Sequence, residues 1–498
     1  MGGAEGIARQ HKRGKLTVRE RIERLTDEGS FREFGGFSGS ATYDGERMID
    51  YTPKGSVEGM CDIGGRSVVL TAGDFTVRGG SGGSGGGLGS ELPPNQRAME
   101  WKLPLVRLLD AAGGSVRSFE EIGRTYLPDG NVWTAVDVAL LSQVPVVSAV
   151  LGSVAGLPAI NACLAHFNVM VKDKTQLFPG GPPVVKASLG YDISKEDLGG
   201  DHIHTRISGS VDNLAADEDD AFDQITKFLS YLPANVWEMP PRMETGDAPN
   251  RADESLLSAI PRNPRQTYKV HRIIESVVDQ GSFFEIAPGY GKARVLGLAR
   301  IDGYPVGSMA NNPRYKGGST DVAAGSKVMR LLQRCYTFHL PFVTLADEPG
   351  FMVGRESEKQ GIERAGAALC AVTCQTRMPW ITVVMGKLYG VAGQCQHRPS
   401  GMFRRYAWPS ANWGSMHIAG GASAAYRREI ESAPDPEAKR EEIESMLRAF
   451  ASPFRTAEAT GQDIIDPRET RRVLADFAKD AQRVIATQLG MTAVPYRP

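Results

Sequence analysis

No apolar run in the 498 residues approaches the roughly 18 needed to span a bilayer. The opening Met1-Gly-Gly-Ala-Glu-Gly has no apolar core of the kind a signal peptide carries. Neither charge sign dominates. The 57 Lys and Arg face 58 Asp and Glu, so the basic footprint of a nucleic-acid binder is missing. Cysteine is scarce: Cys61, Cys163, Cys335, Cys370, Cys374 and Cys395 show no framework spacing, which argues for a reducing cytoplasm. Cys370 and Cys374 stand one helical turn apart and read as packing. His202-x-His204 has no third ligand nearby, so no metal is expected. The acidic run Asp217-Glu-Asp-Asp220 reads as the solvated start of a helix, and the mixed-charge stretch from Ala422 to Ala449 as one helix with a solvated face. The glycine-rich Gly79 to Gly89 is not followed by Gly-Lys-Ser/Thr, which excludes a Walker-type phosphate loop and leaves a surface loop.

What the chain does contain is itself, twice. Val18-Arg-Glu-Arg-Ile-Glu-Arg-Leu-Thr-Asp-Glu-Gly-Ser-Phe-Arg-Glu-Phe34 is echoed by Val270-His-Arg-Ile-Ile-Glu-Ser-Val-Val-Asp-Gln-Gly-Ser-Phe-Phe-Glu-Ile286. Leu103-Pro-Leu-Val-Arg-Leu-Leu-Asp110 matches Leu340-Pro-Phe-Val-Thr-Leu-Ala-Asp347. Val144-Pro-Val-Val-Ser-Ala-Val-Leu-Gly-Ser-Val-Ala-Gly156 matches Met378-Pro-Trp-Ile-Thr-Val-Val-Met-Gly-Lys-Leu-Tyr-Gly390. Three matches in one order mark a tandem duplication. Prolines and acidic residues cluster between Pro233 and Asp253, placing the boundary there, with domains over 1–240 and 241–498. Short apolar strands alternate with helical stretches such as Val322 to Phe338 and Gly361 to Gln375, which predicts α/β units with buried, largely parallel strands.

Gly156 and Gly390 each follow a buried strand and precede a helix-compatible segment, and Pro158 suits a first helical turn. A helix N-terminus offers unpaired N–H groups and a positive dipole end. Such donors suit an oxyanion hole, and glycine permits close approach; the alternative is a tight strand–helix turn without chemistry. The recurrence of the feature in both halves favours the first reading.

At these residues the chain resembles the carboxyltransferase (beta) subunits of biotin-dependent acyl-CoA carboxylases, of the propionyl-CoA and methylcrotonyl-CoA type. Gln10-His-Lys-Arg-Gly-Lys-Leu-Thr-Val-Arg-Glu-Arg-Ile is similar to their N-terminal signature. Asp74-Phe-Thr-Val-x-Gly-Gly-Ser, Gly181-Pro-x-Val-Val-Lys-Ala, Glu196-Asp-Leu-Gly-Gly, Asp347-x-Pro-Gly-Phe351, Tyr406-Ala-Trp-Pro-Ser-Ala and Asp463-Ile-Ile-Asp-Pro-x-x-Thr-Arg471 continue it in family order. The resemblance implies two crotonase-like (ClpP/crotonase) domains, the first binding an acyl-CoA thioester and the second biotin. It implies carboxyl transfer from carboxybiotin through an enolate to the α, or vinylogous γ, carbon of the acyl group. Two oxygens then become anionic, that of the thioester and the ureido oxygen, and a duplicated fold supplies a hole for each. No side-chain base is required.

Carried over residue by residue, the resemblance puts Gly156 and Leu157 at the thioester and Gly390 and Val391 at biotin. Gly113, Gly114, Ala155, Tyr389, Ala392, Gly393 and Gln394 would contact the bound groups. Biotin would arrive on a partner chain, the biotin carboxylase / biotin carboxyl carrier subunit, and this chain would form a homo-hexamer with each site completed across subunits. The pattern differs at Leu157 and Val391, where the family usually or often has glycine, and at Met416-His417, where it has Met-Gly. The competing reading is a biotin-independent crotonase-fold decarboxylase or hydrolase of acyl-CoA, with His417, Gln394 or Glu348 as acid, base or orienting group. A non-enzymatic scaffold with a degenerate site is the third.

Overall fold

The computed structural model describes residues 2–80, 92–114, 123–125, 130–263, 266–396, 401–416 and 418–498. Two compact units divide the chain between Glu238 and Met239. The second half expected over 241–498 is too long at its end: residues 490–498 belong to the first unit, where buried Tyr496 packs on His166 at 4.4 Å between rings.

In the first unit the repeated motif begins with helix Val18–Leu25, closed by a capping box in which Thr17 and Glu20 satisfy each other's backbone donors. Its apolar face, Val18, Ile22 and Leu25, is buried. A seven-stranded sheet follows. Arg32–Phe34, Ser56–Ile63 and Arg66–Gly73 form an antiparallel edge. Leu105–Leu109, Val146–Val150, Phe167–Val171 and Asn213–Ala215 continue it in parallel. The central strands are buried and mostly apolar, as strands of a parallel sheet covered on both sides are, with Arg107, Ser148 and Asn168 as buried polar exceptions. Helix Glu218–Ser230 closes the unit, and Phe228 stacks on Phe167 at 4.8 Å.

The second unit repeats this strand order: Phe284–Glu285, Arg294–Ile301, Tyr304–Asn311, Phe342–Glu348, Trp380–Tyr389, Phe403–Ala407 and Asp463–Ile464. Equivalent ladders match, Leu105 opposite Val146 and Phe342 opposite Trp380. Helix Thr470–Ile485 follows the last strand as Glu218–Ser230 does in the first unit. The core gathers Ile273, Ile274, Val343, Val383, Trp408 and Leu474; full burial of each such side chain contributes about 1.5–3 kcal/mol.

The predicted helices at Val322 and Gly361 occur as Val322–Thr337 and Ile362–Gln375. The continuous helix expected from Ala422 to Ala449 does not. The segment forms Ile418–Ala425, Arg427–Ser432 and Pro436–Phe450, since Pro434 and Pro436 interrupt the backbone ladder and Asp435 caps a fresh start. The acidic run does open a helix, with Asp217 as cap, but Glu218 is buried against Arg21 rather than solvated.

Candidate functional site

In the first unit, strand Leu105–Leu109 delivers Asp110, which is fully buried. Its Oδ2 accepts from Lys15 Nζ at 2.6 Å, Arg21 at 3.0 Å and Gln10 Nε2 at 3.2 Å. Burial pushes the Lys15 ammonium below the usual lysine range, and the Asp110 charge opposes that shift. This buried cluster anchors the loop that follows. Ala112 N–H donates to Gly79 O, and Gly113 turns with φ +82. A Cβ on Gly113 would lie 2.7 Å from Ala155 O, so only glycine lets this loop touch the segment Ala155–Gly156.

That segment ends the short strand Ser153–Ala155, parallel to Gln176–Phe178. Gly156, at φ +70 and ψ −137, caps helix Leu157–Cys163. Its own N–H is taken by Phe178 O at 3.2 Å. The Leu157 N–H has no acceptor among the described residues, nor do those of Gly113 and Gly114. The unclaimed donor of the turn is therefore at Leu157, not Gly156. Its side chain is half exposed.

In the second unit, strand Phe342–Glu348 delivers Asp347 and Glu348, both buried. Asp347 Oδ2 accepts from Tyr268 OH at 2.8 Å and Oδ1 from Lys387 N–H at 2.7 Å. Burial, aided by Asp347, holds the Tyr268 phenol well above the usual range. Glu348 is committed on every side, to Arg294, to Thr320 Oγ1 at 2.7 Å, to Gln396 Nε2 at 2.9 Å, to Asn311 at 3.2 Å and to Gly350 N–H at 3.0 Å. Glu348 thus braces the loop Pro349–Phe351, with Oε2 taken by four donors and Oε1 by the Gly350 N–H.

Strand Trp380–Tyr389 extends to the turn, its last three residues parallel to Asn412–Gly414. Gly390 lies at φ +61 and starts the single helical turn Gly390–Gln394. The N–H groups of Gly390 and Val391 have no acceptor among the described residues. Tyr389 is buried and bonded to Asn412, its phenol pushed up to about 12 by burial and then by Asp347. Ala392 and Gly393 are buried beneath the turn; Gln394 is exposed. His417 lies outside the described residues.

The two turns correspond: a buried strand, a positive-φ glycine, unclaimed amides, and a buried aspartate at the end of the neighbouring strand. The Carboxyl transferase domain family matches residues 9–484. The chain belongs to that family. This carboxyltransferase is 36 % identical to the carboxyltransferase subunit of propionyl-CoA carboxylase from Haloferax mediterranei, over 96 % of this chain and 92 % of that one. It is 35 % identical to the methylmalonyl-CoA carboxyltransferase 12S subunit of Propionibacterium freudenreichii, over 95 % and 90 %. Among solved structures, transcarboxylase 12S, a hexamer with methylmalonyl-CoA and methylmalonic acid bound, superposes with a TM-score of 0.85 at 32 % identity, covering 100 % of this chain and 94 % of that one. The carboxyltransferase is thus an enzyme built from two crotonase-like domains, and its reaction is carboxyl transfer involving an acyl-CoA.

The supporting residues Lys15, Arg21, Tyr268, Arg294 and Asn311 were not singled out from sequence. Lys15 and Arg21 stand inside the N-terminal signature, which was the one available signal. His204, weighed as a ligand, bonds Leu177 O at 2.7 Å and Ser208, and the described residues hold no group of three or more potential metal ligands. Also among the described residues, no helix is long and apolar enough to cross a membrane.

Proposed function

We propose that this chain is the carboxyltransferase subunit of a biotin-dependent acyl-CoA carboxylase, with the thioester oxygen held by the Leu157 amide and the Gly113–Gly114 loop, and the ureido oxygen by the amides of Gly390 and Val391. The observation carrying this reading is the recurrence of unclaimed backbone donors at equivalent turns of both units. Backbone amides fixed by buried strands are preorganised, so they stabilise a developing oxyanion without reorganising. Biotin, when bound, supplies the carboxyl group and a basic ureido centre; amides unclaimed by protein acceptors fit its oxygen. The chain's own part is to orient the thioester, hold its oxygen as the enolate forms, and keep Asp110 and Asp347 as structural anions. The subunit works in a homo-hexamer with a separate chain carrying biotin and the biotin-charging domain, and its six free thiols suit the cytoplasm.

The experiment offers the purified chain malonyl-CoA or methylmalonyl-CoA with and without free biotin and follows loss of the carboxyl group. Loss that requires biotin is expected. Rapid biotin-independent decarboxylation or thioester cleavage would overturn the proposal in favour of the hydrolase or decarboxylase reading.

A further inference from the structure

The two turns are anchored differently. In the first unit Phe178 O takes the Gly156 N–H at 3.2 Å and so ties that turn to a neighbouring strand. In the second unit the Gly390 N–H has no acceptor among the described residues, so it stays free for a ligand but cannot hold the turn. Gln396 holds it instead. This residue follows the turn Gly390–Gln394 closely and is only 2 % exposed. Its N–H donates back to Gly393 O at 3.1 Å, and the N–H of Cys395 donates to Val391 O at 3.2 Å. Its carbonyl accepts from Thr382 Oγ1 at 2.6 Å. Its side-chain Nε2 donates to Glu348 Oε2 at 2.9 Å, and Glu348 is itself fixed by Arg294, Thr320 and Asn311. A displacement at Gln396 therefore reaches the Gly390 and Val391 amides within one helical turn.

This bracket has no counterpart in the first unit. Glu348 follows Asp347, whereas Ala111 follows Asp110; six residues beyond Gly390 stands Gln396, and six beyond Gly156 stands Ala162. Both alanines are buried and offer no polar side chain. The polar bracket thus belongs to the turn whose glycine amide is unclaimed. Packing alone does not account for it. Gln396 Oε1 is buried without a partner among the described residues, a cost that an apolar side chain of the same length would avoid. We infer that Gln396, held by Glu348 and Thr382, is a positioning residue that sets the Gly390 and Val391 amides at the height the ureido oxygen requires. The inference rests on the proposal that this turn faces biotin.

The test compares the full chain with Gln396→Met, which keeps the side chain's length and drops the bond to Glu348, and with Thr382→Val, which drops the bond to Gln396 O from the other side. Binding of free biotin, followed by ligand-observed NMR, should weaken roughly three- to tenfold in each, the worth of one misplaced hydrogen bond, while binding of malonyl-CoA stays parental. Hydrogen exchange at the amides of positions 395 and 396 should quicken on the order of tenfold, with helix Ile362–Gln375 unchanged. In biotin-dependent carboxyl loss from malonyl-CoA, kcat should fall by a larger factor than KM for biotin rises, because the ureido oxygen gains charge only as the reaction proceeds. A folded Gln396→Met chain that binds biotin as the parent does, or one that loses affinity for biotin and malonyl-CoA alike, would overturn the inference. Should Gln396→Met fail to fold, Thr382→Val decides by the same readouts. Exchange needs neither biotin nor turnover. If the parent binds no biotin while exchange at 395 and 396 still quickens in the variants, the bracket stands and the function does not; if carboxyl loss proceeds at parental kcat and KM in both variants, the function stands and the inference does not.

Discussion

A Cβ on Gly152 would stand 1.9 Å from Asp110 Oδ1, so the buried carboxylate of one strand occupies the space that any other residue on the next strand would fill. Gly386 and Asp347 repeat the relationship at 2.4 Å. The repeat is not perfect, because Asp347 Oδ1 takes the Lys387 N–H whereas Asp110 Oδ1 has no partner among the described residues. Gly152→Ala must displace Asp110 from Lys15 and Arg21. Disrupting a buried ion cluster costs about 3 kcal/mol or more. A clear fall in the urea midpoint is expected; a midpoint equivalent to within about 0.5 kcal/mol of the parent would show that the site yields easily.

Leu157→Pro removes one N–H and leaves the rest of the turn in place, since proline is tolerated at the start of a helix. Loss of one oxyanion donor costs roughly 10²–10³ in rate. Leu157→Gly keeps the donor, and its stability cost should be small because the side chain is half exposed. The measurement is kcat with an acyl-CoA, with circular dichroism to confirm folding. A folded Leu157→Pro enzyme at parental kcat would remove the amide from the mechanism.

These anchors explain what could be read from sequence. The duplication was legible because helix, glycine turn and strand must recur to build the same layer twice, and apolar runs such as Val144 to Leu151 have few fates other than a buried strand. Gly156 and Gly390 were legible because positive φ leaves them little choice of residue. The pairing of Lys15 and Arg21 with Asp110, or of Arg294 with Glu348, was not, because contacts between distant segments have no period. Nor could sequence show that Phe178 consumes the Gly156 amide, which moves the free donor to Leu157.

The thiols give a chemical check. Cys374 is exposed, whereas burial pushes Cys61 and Cys335 up to about 12 and drives Cys395 higher, helped by Cys370, whose sulfur lies 3.3 Å away. At pH 8 a thiol of pKa about 12 is thiolate only about once in 10⁴. Iodoacetamide at that pH should label Cys374 first and reach Cys61, Cys335 and Cys395 only after denaturation, as read by peptide mass spectrometry. Early labelling of Cys395 would contradict this packing.

His271 shares a hydrogen bond with Glu285 at 2.9 Å, and that bond raises its pKa above the ordinary 6.5 despite partial burial. A raised folded pKa gives stability that is fully present below about 6.5 and is lost as pH climbs through the folded value. The ring is 44 % exposed, so screening limits the gain to about 1 kcal/mol or less. His271→Gln should therefore be less stable than the parent at pH 5.5, with the gap closing by pH 8.5. A gap that widens with pH would reverse the assignment.

Mixing two defective chains shows where a complete site comes from. If the first unit of one subunit works with the second unit of another, a Leu157→Pro chain lacks the thioester donor but keeps an intact biotin turn, and a Gly390→Pro chain has the opposite defect. Proline cannot adopt the φ of +61 found at Gly390, and it deletes that amide as well. Each variant assembled alone should be nearly inactive. After dissociation and reassembly of an equal mixture, about a quarter of the sites would combine the two intact units, and activity should return toward that fraction. Size-exclusion chromatography of differently tagged chains would verify mixing. Mixed hexamers that stay inactive would mean that each site is completed within one chain, while a fully active monomer would remove the need for assembly altogether.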